Sequence, residues 1–181
     1  LLKSSRDFRW PEAPGMSGGK NDLTRVFARR GRGFIVTLLL DPRRQMEYIS
    51  AVNSRCKILI AYLFKRSDFP WVAIWEENRA RKQAPWNGRC QARGLEFGST
   101  PFPVGRREAF GNGPLFGTPT FTTAPARGRK TVQYAALLAE VPENFGLVRD
   151  MRLAGQGIQI TGDRGTMPVF IPAAGVSNHW L

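Results

Sequence analysis

The chain has 181 residues, enough to bury a hydrophobic core, and its 42% hydrophobic and 23% charged residues exclude a wholly disordered protein. A formal net charge of +13 would suit a polyanionic partner. The basic residues, however, lie in short clusters beside turns and form no recognised motif, which argues against nucleic acid as a partner. No stretch approaches the roughly 18 apolar residues of a membrane-spanning helix, so we expect no membrane partner.

Cysteine and histidine are scarce in this chain. Cys56 and Cys90 form no CxxC pair, which argues against a disulfide framework or a zinc site and favours a reducing, cytoplasmic location. The single histidine, His179, lies close to the end of the sequence, so we expect no Ser/His/Asp or Cys/His catalytic site. No metal-ligand spacing or nucleotide-binding loop is present, and we expect neither a metal nor a cofactor. The first residue is Leu1 rather than methionine, which suggests a fragment or a processed product.

In chain order, residues 1–32 are rich in Gly, Arg and Pro and are predicted to be irregular. From residue 33 onward, short apolar or alternating runs separated by turn residues predict strands. These runs span residues 34–40, 46–52, 57–64, 71–78, 91–97, 118–123, 131–140, 157–161 and 167–171. The run at 131–140 also admits a helical turn because it contains Ala and Leu. The spacing predicts an all-β fold, an antiparallel β-sandwich over residues 33–181.

The run 71–78 carries the first candidate binding residues. If it is a strand, alternation places Trp71, Ala73, Trp75 and Glu77 on one face. The other face then carries Val72, Ile74, Glu76 and Asn78. Indoles beside carboxylates and amides suit a sugar, whose apolar ring side packs on an aromatic ring while its hydroxyls hydrogen-bond. In the loop that follows, Trp86 and Asn87 repeat this pairing of an aromatic ring with an amide. The alternative is that the tryptophans are core residues and the glutamates form a solvated strand end.

The second candidate feature is the run 93–98, RGLEFG. Alternation places Glu96 on the face opposite Arg93, within an apolar strand. A buried carboxylate is costly unless it is paired or functional, so Glu96 is a candidate general base. The alternative is a structural Arg–Glu pair.

Residues 69–110, FPWVAIWEENRARKQAPWNGRCQARGLEFGSTPFPVGRREAF, resemble a bacterial branch of the galactose-mutarotase-like superfamily, the aldose 1-epimerase-related proteins. The resemblance continues through LFGTPTFTTAPARGRKTVQYAALL at 115–138 and extends more weakly to FRWPEAPG and LLLDPRRQMEYISAVN. It implies a β-supersandwich with a sugar site in its concave face. Members of that superfamily are longer, so the chain resembles an incomplete, C-terminal portion.

The resemblance also implies a chemistry, ring opening at the anomeric carbon. A carboxylate removes the proton of the C1 hydroxyl and an acid, usually histidine, protonates the ring oxygen. The family's histidines have no counterpart in residues 1–178, so they either precede this portion or have been replaced. Glu96 is the candidate base, with Glu76 and Glu77 behind it, and Arg93 would orient hydroxyls or hold that carboxylate ionised. The other substrate-binding candidates, which would shape the site, are Trp75, Asn78, Trp86 and Asn87.

Three functions stay open on the sequence. The first is a small-molecule sugar-binding, mutarotase-like protein that interconverts anomers as an isomerase of carbohydrate metabolism. The second is a non-catalytic sugar-binding module of the same fold. The third is a polyanion- or nucleic-acid-binding β protein, whose affinity would fall steeply with salt. The sequence leaves the oligomeric state open.

Overall fold

The computed structural model describes residues 2–3, 6–28, 30–101 and 103–173, and these are nearly all β. The strands are β1 (Glu12–Pro14), β2 (Lys20–Asp22), β3 (Arg32–Leu39), β4 (Met46–Asn53), β5 (Ile58–Lys65), β6 (Trp71–Asn78), β7 (Gln91–Gly98), β8 (Tyr134–Glu140), β9 (Val148–Ala154), β10 (Gly157–Gly162) and β11 (Val169–Pro172). A short helix, α1 (Arg106–Gly111), lies between β7 and β8. In the described part of the chain, no helix is long and apolar enough to cross a membrane.

The first of two compact units comprises Leu1–Leu38 and Ala73–Glu96. It holds the β1–β2 hairpin and most of a three-stranded sheet in the order β3–β6–β7. Every second side chain of a strand lies on the same face. Alternate residues of β3 and β6 therefore meet in one apolar cluster. The buried members of that cluster are Ala13, Leu23, Val36 and Ile74, with Phe8, Phe27, Phe34 and Leu38 packed against them.

The second unit comprises Leu39–Val72 and Phe97–Leu181. It contains two three-stranded antiparallel sheets, in the orders β4–β5–β8 and β11–β10–β9. Both sheets contribute side chains to one hydrophobic cluster, because the inward-facing positions of β5 and β10 are aliphatic. Its fully buried members are Leu59, Ala61, Leu63, Met151, Ile158 and Ile160, each at most 1% exposed.

The all-β, antiparallel prediction is confirmed, and several strands lie close to their predicted bounds. Strand β6 has the predicted bounds, and β4, β5 and β7 differ from theirs by one residue at one or both ends. Local alternation was enough to predict these strands, because each of them has buried side chains at regular spacing or ends at a clear turn.

Other strand predictions were wrong. The segment 118–123 is not a strand and forms only an isolated bridge between Leu115 and Thr118. Pro119 has no backbone N–H for a ladder, and the Thr120 hydroxyl donates instead to the Gly113 carbonyl at 2.6 Å. The run predicted from residue 131 begins its strand only at Tyr134, and strand Val148–Ala154 was missed because its alternation is interrupted by charges.

The predicted irregular segment 1–32 contains the β1–β2 hairpin and a fully buried Leu23. This segment packs against side chains of β3 and β6, which lie far away in sequence, so the local composition of residues 1–32 did not predict the contact. The first compact unit joins residues up to Leu38 with Ala73–Glu96, and the boundary at residue 33 stays a prediction. His179 lies outside the described residues.

Candidate functional site

Strand β6 separates the predicted binding residues into two groups. Glu76 and Asn78 lie on the face that packs against the segment 23–27, whereas Trp75 and Glu77 lie on the opposite face. Trp71, at the start of the same strand, is a core residue, 2% exposed, whose indole N–H donates to the Pro119 carbonyl at 2.9 Å. The core alternative therefore holds for Trp71, and Trp75 is only half-buried.

Glu76 and Arg93 form a buried ion pair that anchors the segment 23–27. The Arg93 Nε donates to Glu76 Oε2 at 3.0 Å, and Nη2 makes a second, very short contact with the same oxygen. The guanidinium also donates to the carbonyls of Leu23 at 2.8 Å and Arg25 at 2.7 Å. The other Glu76 oxygen accepts the Phe27 N–H at 2.9 Å. With side-chain exposures of 1% and 11%, these two groups have all their strong partners within the protein.

The predicted alternative of an Arg93–Glu96 pair is wrong, since the Arg93 guanidinium is engaged by Glu76 and by two carbonyls. Asn78 is equally internal. Its side-chain N–H donates to the Phe27 carbonyl at 2.7 Å, and the whole residue is 1% exposed. Glu76, Asn78 and Arg93 thus hold the 23–27 segment against the sheet, and their role as substrate ligands stays a prediction.

The opposite face of the sheet, here called the open face, carries a cluster of two indoles and a guanidinium. The ring centroids of Trp75 and Trp86 lie 5.5 Å apart with their planes tilted by 47°. The Arg81 guanidinium carbon lies 5.2 Å from the Trp75 ring centroid and 5.1 Å from that of Trp86. Both distances are within the range of cation–π attraction. The Arg81 side chain is 42% exposed, so this cluster is partly accessible to solvent.

Glu77 holds the start of the loop that carries this cluster. One carboxylate oxygen accepts the N–H groups of Ala80 at 2.5 Å and Arg81 at 3.0 Å. The other oxygen lies 3.7 Å from Arg81 Nε. A side chain at Gly33 on the neighbouring strand would come within 3.2 Å of that oxygen, so the glycine makes room for the carboxylate. Glu77, which is 2% exposed, thus positions Arg81 and has little capacity to meet a ligand.

Gly94 lies beside Trp75 on the open face. A Cβ at this position would lie 3.5 Å from Trp75 Cε3 and 3.7 Å from Glu96 Oε1. Trp75, Gly94 and Glu96 are therefore neighbours on one surface, and Glu96 is exposed. The expectation that Glu96 lies in an apolar environment is wrong, because this face of β7 is open to solvent. Its carboxylate is exposed near Trp75 and can accept hydrogen bonds.

Asn87 lies at the tip of the loop and is exposed. Its backbone adopts a left-handed conformation, φ 47°, and its amide donates to the Pro85 carbonyl at 3.4 Å. Asparagine tolerates this conformation better than most residues, which gives Asn87 a turn-forming role next to Trp86. The structure therefore brings together Trp75, Trp86 and Glu96 of the predicted set, with Asn87 at the margin.

Sequence reasoning missed Arg81 and the two glycines that shape the open face. Glu77 and Arg81 are four positions apart, a spacing that indicates a side-chain pair on a helix. It therefore did not predict a contact at the end of a strand. Gly33 and Gly94 were indistinguishable from turn glycines, because only the neighbouring strand reveals what a side chain there would meet.

Among the described residues, no group of three or more His, Cys, Asp or Glu side chains is placed to hold a metal ion. No family model, curated protein or solved structure matches this chain.

Proposed function

We propose that this chain is a carbohydrate-binding β protein of the galactose-mutarotase-like kind, with sandwich architecture, and that the open face binds the sugar. The observation that carries the proposal is the juxtaposition of two indoles and an exposed carboxylate on one sheet face. The apolar side of a pyranose would pack on Trp75 and Trp86. Glu96 would accept hydrogen bonds from its hydroxyls and the Arg81 guanidinium would donate to them.

Binding without catalysis is the form of this function that the geometry supports best. Anomer interconversion requires a base and an acid on opposite sides of the sugar. Glu77 is occupied by two backbone N–H groups and by Arg81, so of the two glutamates described on the open face only Glu96 is accessible. A single exposed carboxylate satisfies a hydroxyl but supplies only half of the acid–base pair.

The test is saturation-transfer NMR of the full chain with a panel of neutral aldoses, combined with exchange spectroscopy of the anomeric protons. We expect saturation transfer to sugar ring protons and no acceleration of anomer exchange. Trp86→Ala should weaken binding about tenfold, since roughly 60 Å² of lost apolar contact is worth about 1.5 kcal/mol. Trp10→Ala removes an exposed indole outside the open face and should leave binding unchanged.

Each outcome of this test bears on the proposal. Accelerated exchange that is abolished by Glu96→Gln would replace pure binding by epimerase activity. Absence of saturation transfer from a folded sample, or equal weakening by the Trp86 and Trp10 variants, would contradict the sugar site.

A polyanion-binding function is the second candidate, favoured by the loop 79–90 beside the open face. This loop contains Arg79, Arg81, Lys82 and Arg89 and no acidic residue. Basic side chains interleaved with an aromatic ring are typical of single-stranded nucleic-acid binding. Affinity for an oligonucleotide that falls steeply between 50 mM and 200 mM salt, with no neutral-sugar binding, would favour this function over the first.

A further inference from the structure

A cavity of about 190 Å³ lies within the second unit, at the end of the β4–β5–β8 sheet where Asn53, Ile58 and Glu140 are paired. It is enclosed by the β4–β5 turn, the β8–β9 loop and the chain that follows β10. Its apolar lining is formed by Val52, Val141, Pro142 and Phe145. The cavity is smaller than the roughly 300–1,000 Å³ of drug-sized sites, so it would admit only a small ligand.

The polar lining of the cavity has two cations, one carboxylate, a hydroxyl and the amide of Asn144. Lys57 and Arg164 both line it, together with the hydroxyl-bearing Ser54 and the carboxylate of Glu143. The Lys57 ammonium donates to Glu143 Oε2 at 3.3 Å, with side-chain exposures of 52% and 78%. An exposed pair at this distance is weak, so an incoming anion can compete for the ammonium. Arg164 is exposed, and its planar guanidinium suits a phosphate or carboxylate in two-point contact.

The backbone around the cavity is held in shape. Lys57, Asn144 and Gly146 all have left-handed conformations, with φ of 55°, 60° and 77°. Such conformations at residues other than glycine are costly and persist where the surroundings over-determine them. Phe145 N–H closes the turn onto the Pro142 carbonyl at 3.2 Å, which fixes the loop before any ligand binds.

A second set of bonds places Arg164 against this loop. Asp163 Oδ1 accepts the Leu147 N–H at 3.0 Å, and the Asp163 N–H donates to the Leu147 carbonyl at 2.9 Å. Any side chain at Gly146 would overlap the Asp163 carboxylate, so the glycine is required for this tie. The residue after Asp163 is thereby held at the rim, and the two cations reach one opening from separate chain segments.

We propose that this cavity binds a small molecule with one oxyanion group, phosphate or carboxylate, on a short apolar body. The oxyanion would sit between Lys57 and Arg164, and the apolar body would contact Val52, Val141 and Phe145. This site is separate from the sugar site, and its residues all belong to the second unit.

The experiment is a titration of the full ¹⁵N-labelled chain with phenyl phosphate and with benzoate, followed by amide chemical shifts. Benzyl alcohol, which has the apolar body without the anion, and inorganic phosphate, which has the anion alone, are the ligand controls. We expect saturable shifts that centre on residues 54–57 and 143–147 for phenyl phosphate, benzoate or both, and weaker responses to either control. The comparison of the two probes assigns the headgroup.

Two variants should change the affinity in opposite directions, and a third is the control. Arg164→Gln removes one cation and should weaken binding about tenfold, the equivalent of one charge-assisted hydrogen bond. Glu143→Gln releases Lys57 from its acidic partner and should strengthen binding several-fold. Arg152→Gln is the matched control, since this exposed arginine bonds to Gln159 and lies outside the cavity lining. All three side chains are at the surface, and folding is checked from the unperturbed amide spectrum.

Equal weakening by the Arg164 and Arg152 variants would mean diffuse attraction to the basic surface and would overturn the proposal. Shifts scattered over the chain, or no saturable shift at residues 54–57 and 143–147 with either anion, would overturn it as well. A weaker complex with Glu143→Gln would contradict the assigned competition for Lys57.

Discussion

Replacing Arg93 with leucine tests whether Arg93 and Glu76 are structural residues or substrate ligands. The substitution leaves the Glu76 carboxylate, 1% exposed, without its cation, and leaves two backbone carbonyls without their donor. Breaking one side of a buried ion pair costs about 3–5 kcal/mol, a large share of the roughly 5–15 kcal/mol by which domains are stable. We expect the Arg93→Leu variant to lose about that much of its free energy of unfolding.

The assay is urea-induced unfolding followed by far-ultraviolet circular dichroism, together with hydrogen exchange of the Phe27 amide, which donates to Glu76. Because the chain has two units, the amide reports locally on the pair even where global unfolding has more than one step. The double variant Glu76→Leu, Arg93→Leu removes both charges and should recover much of the loss. The matched control is Lys20→Leu, which breaks an exposed pair with Glu12 and should cost no more than about 1 kcal/mol.

An Arg93→Leu variant within about 1 kcal/mol of the parent chain, with unchanged Phe27 exchange, would refute the structural role. The same would follow if the double variant were as unstable as the sum of the two single variants. If sugar affinity fell while stability held, Arg93 would instead be the ligand that its sequence context first suggested.

Three other perturbations probe the backbone, the charges and the core. Gly146→Ala forces a Cβ onto the Asp163 carboxylate at φ 77° and should cost at least about 2 kcal/mol in urea unfolding. Gly155→Ala, at φ 56° in open space, should cost only about 1 kcal/mol, and equal costs would refute the overlap. Burial raises the pKa of the Glu47 carboxyl above its ordinary 4.5, so its contribution to stability is present below 4.5 and is lost as pH rises through the folded-state pKa. Glu47→Gln should therefore be more stable than the parent at pH 7 and no more stable at pH 3, as measured by thermal melts; a parent that gains stability over the variant as pH rises would contradict this sign. Trp71→Phe removes the indole N–H and leaves the Pro119 carbonyl without its donor, so the free energy of unfolding should fall by about 1–3 kcal/mol. An unchanged free energy of unfolding would show that water replaces the donor.

The sequence by itself determined the fold class and the strands whose alternation is local. Strand β6 has the predicted bounds because Trp71–Asn78 alternates between two faces and ends at a clear loop. The alternation also placed Trp75 with Glu77 and Glu76 with Asn78, since a strand has a period of two residues whatever packs against it. What the period leaves undecided is which of the two faces is covered.

Only the tertiary structure decided which face is covered and which is open. Arg93 pairs with Glu76, 17 positions away in the chain, rather than with Glu96, three positions away. That choice depends on the segment 23–27 folding over one face of the sheet, a contact between residues about 50 positions apart. The free energy of burying a carboxylate is set by such distant neighbours. One residue type, glutamate, is therefore a buried structural anchor at position 76 and an exposed hydrogen-bond acceptor at position 96.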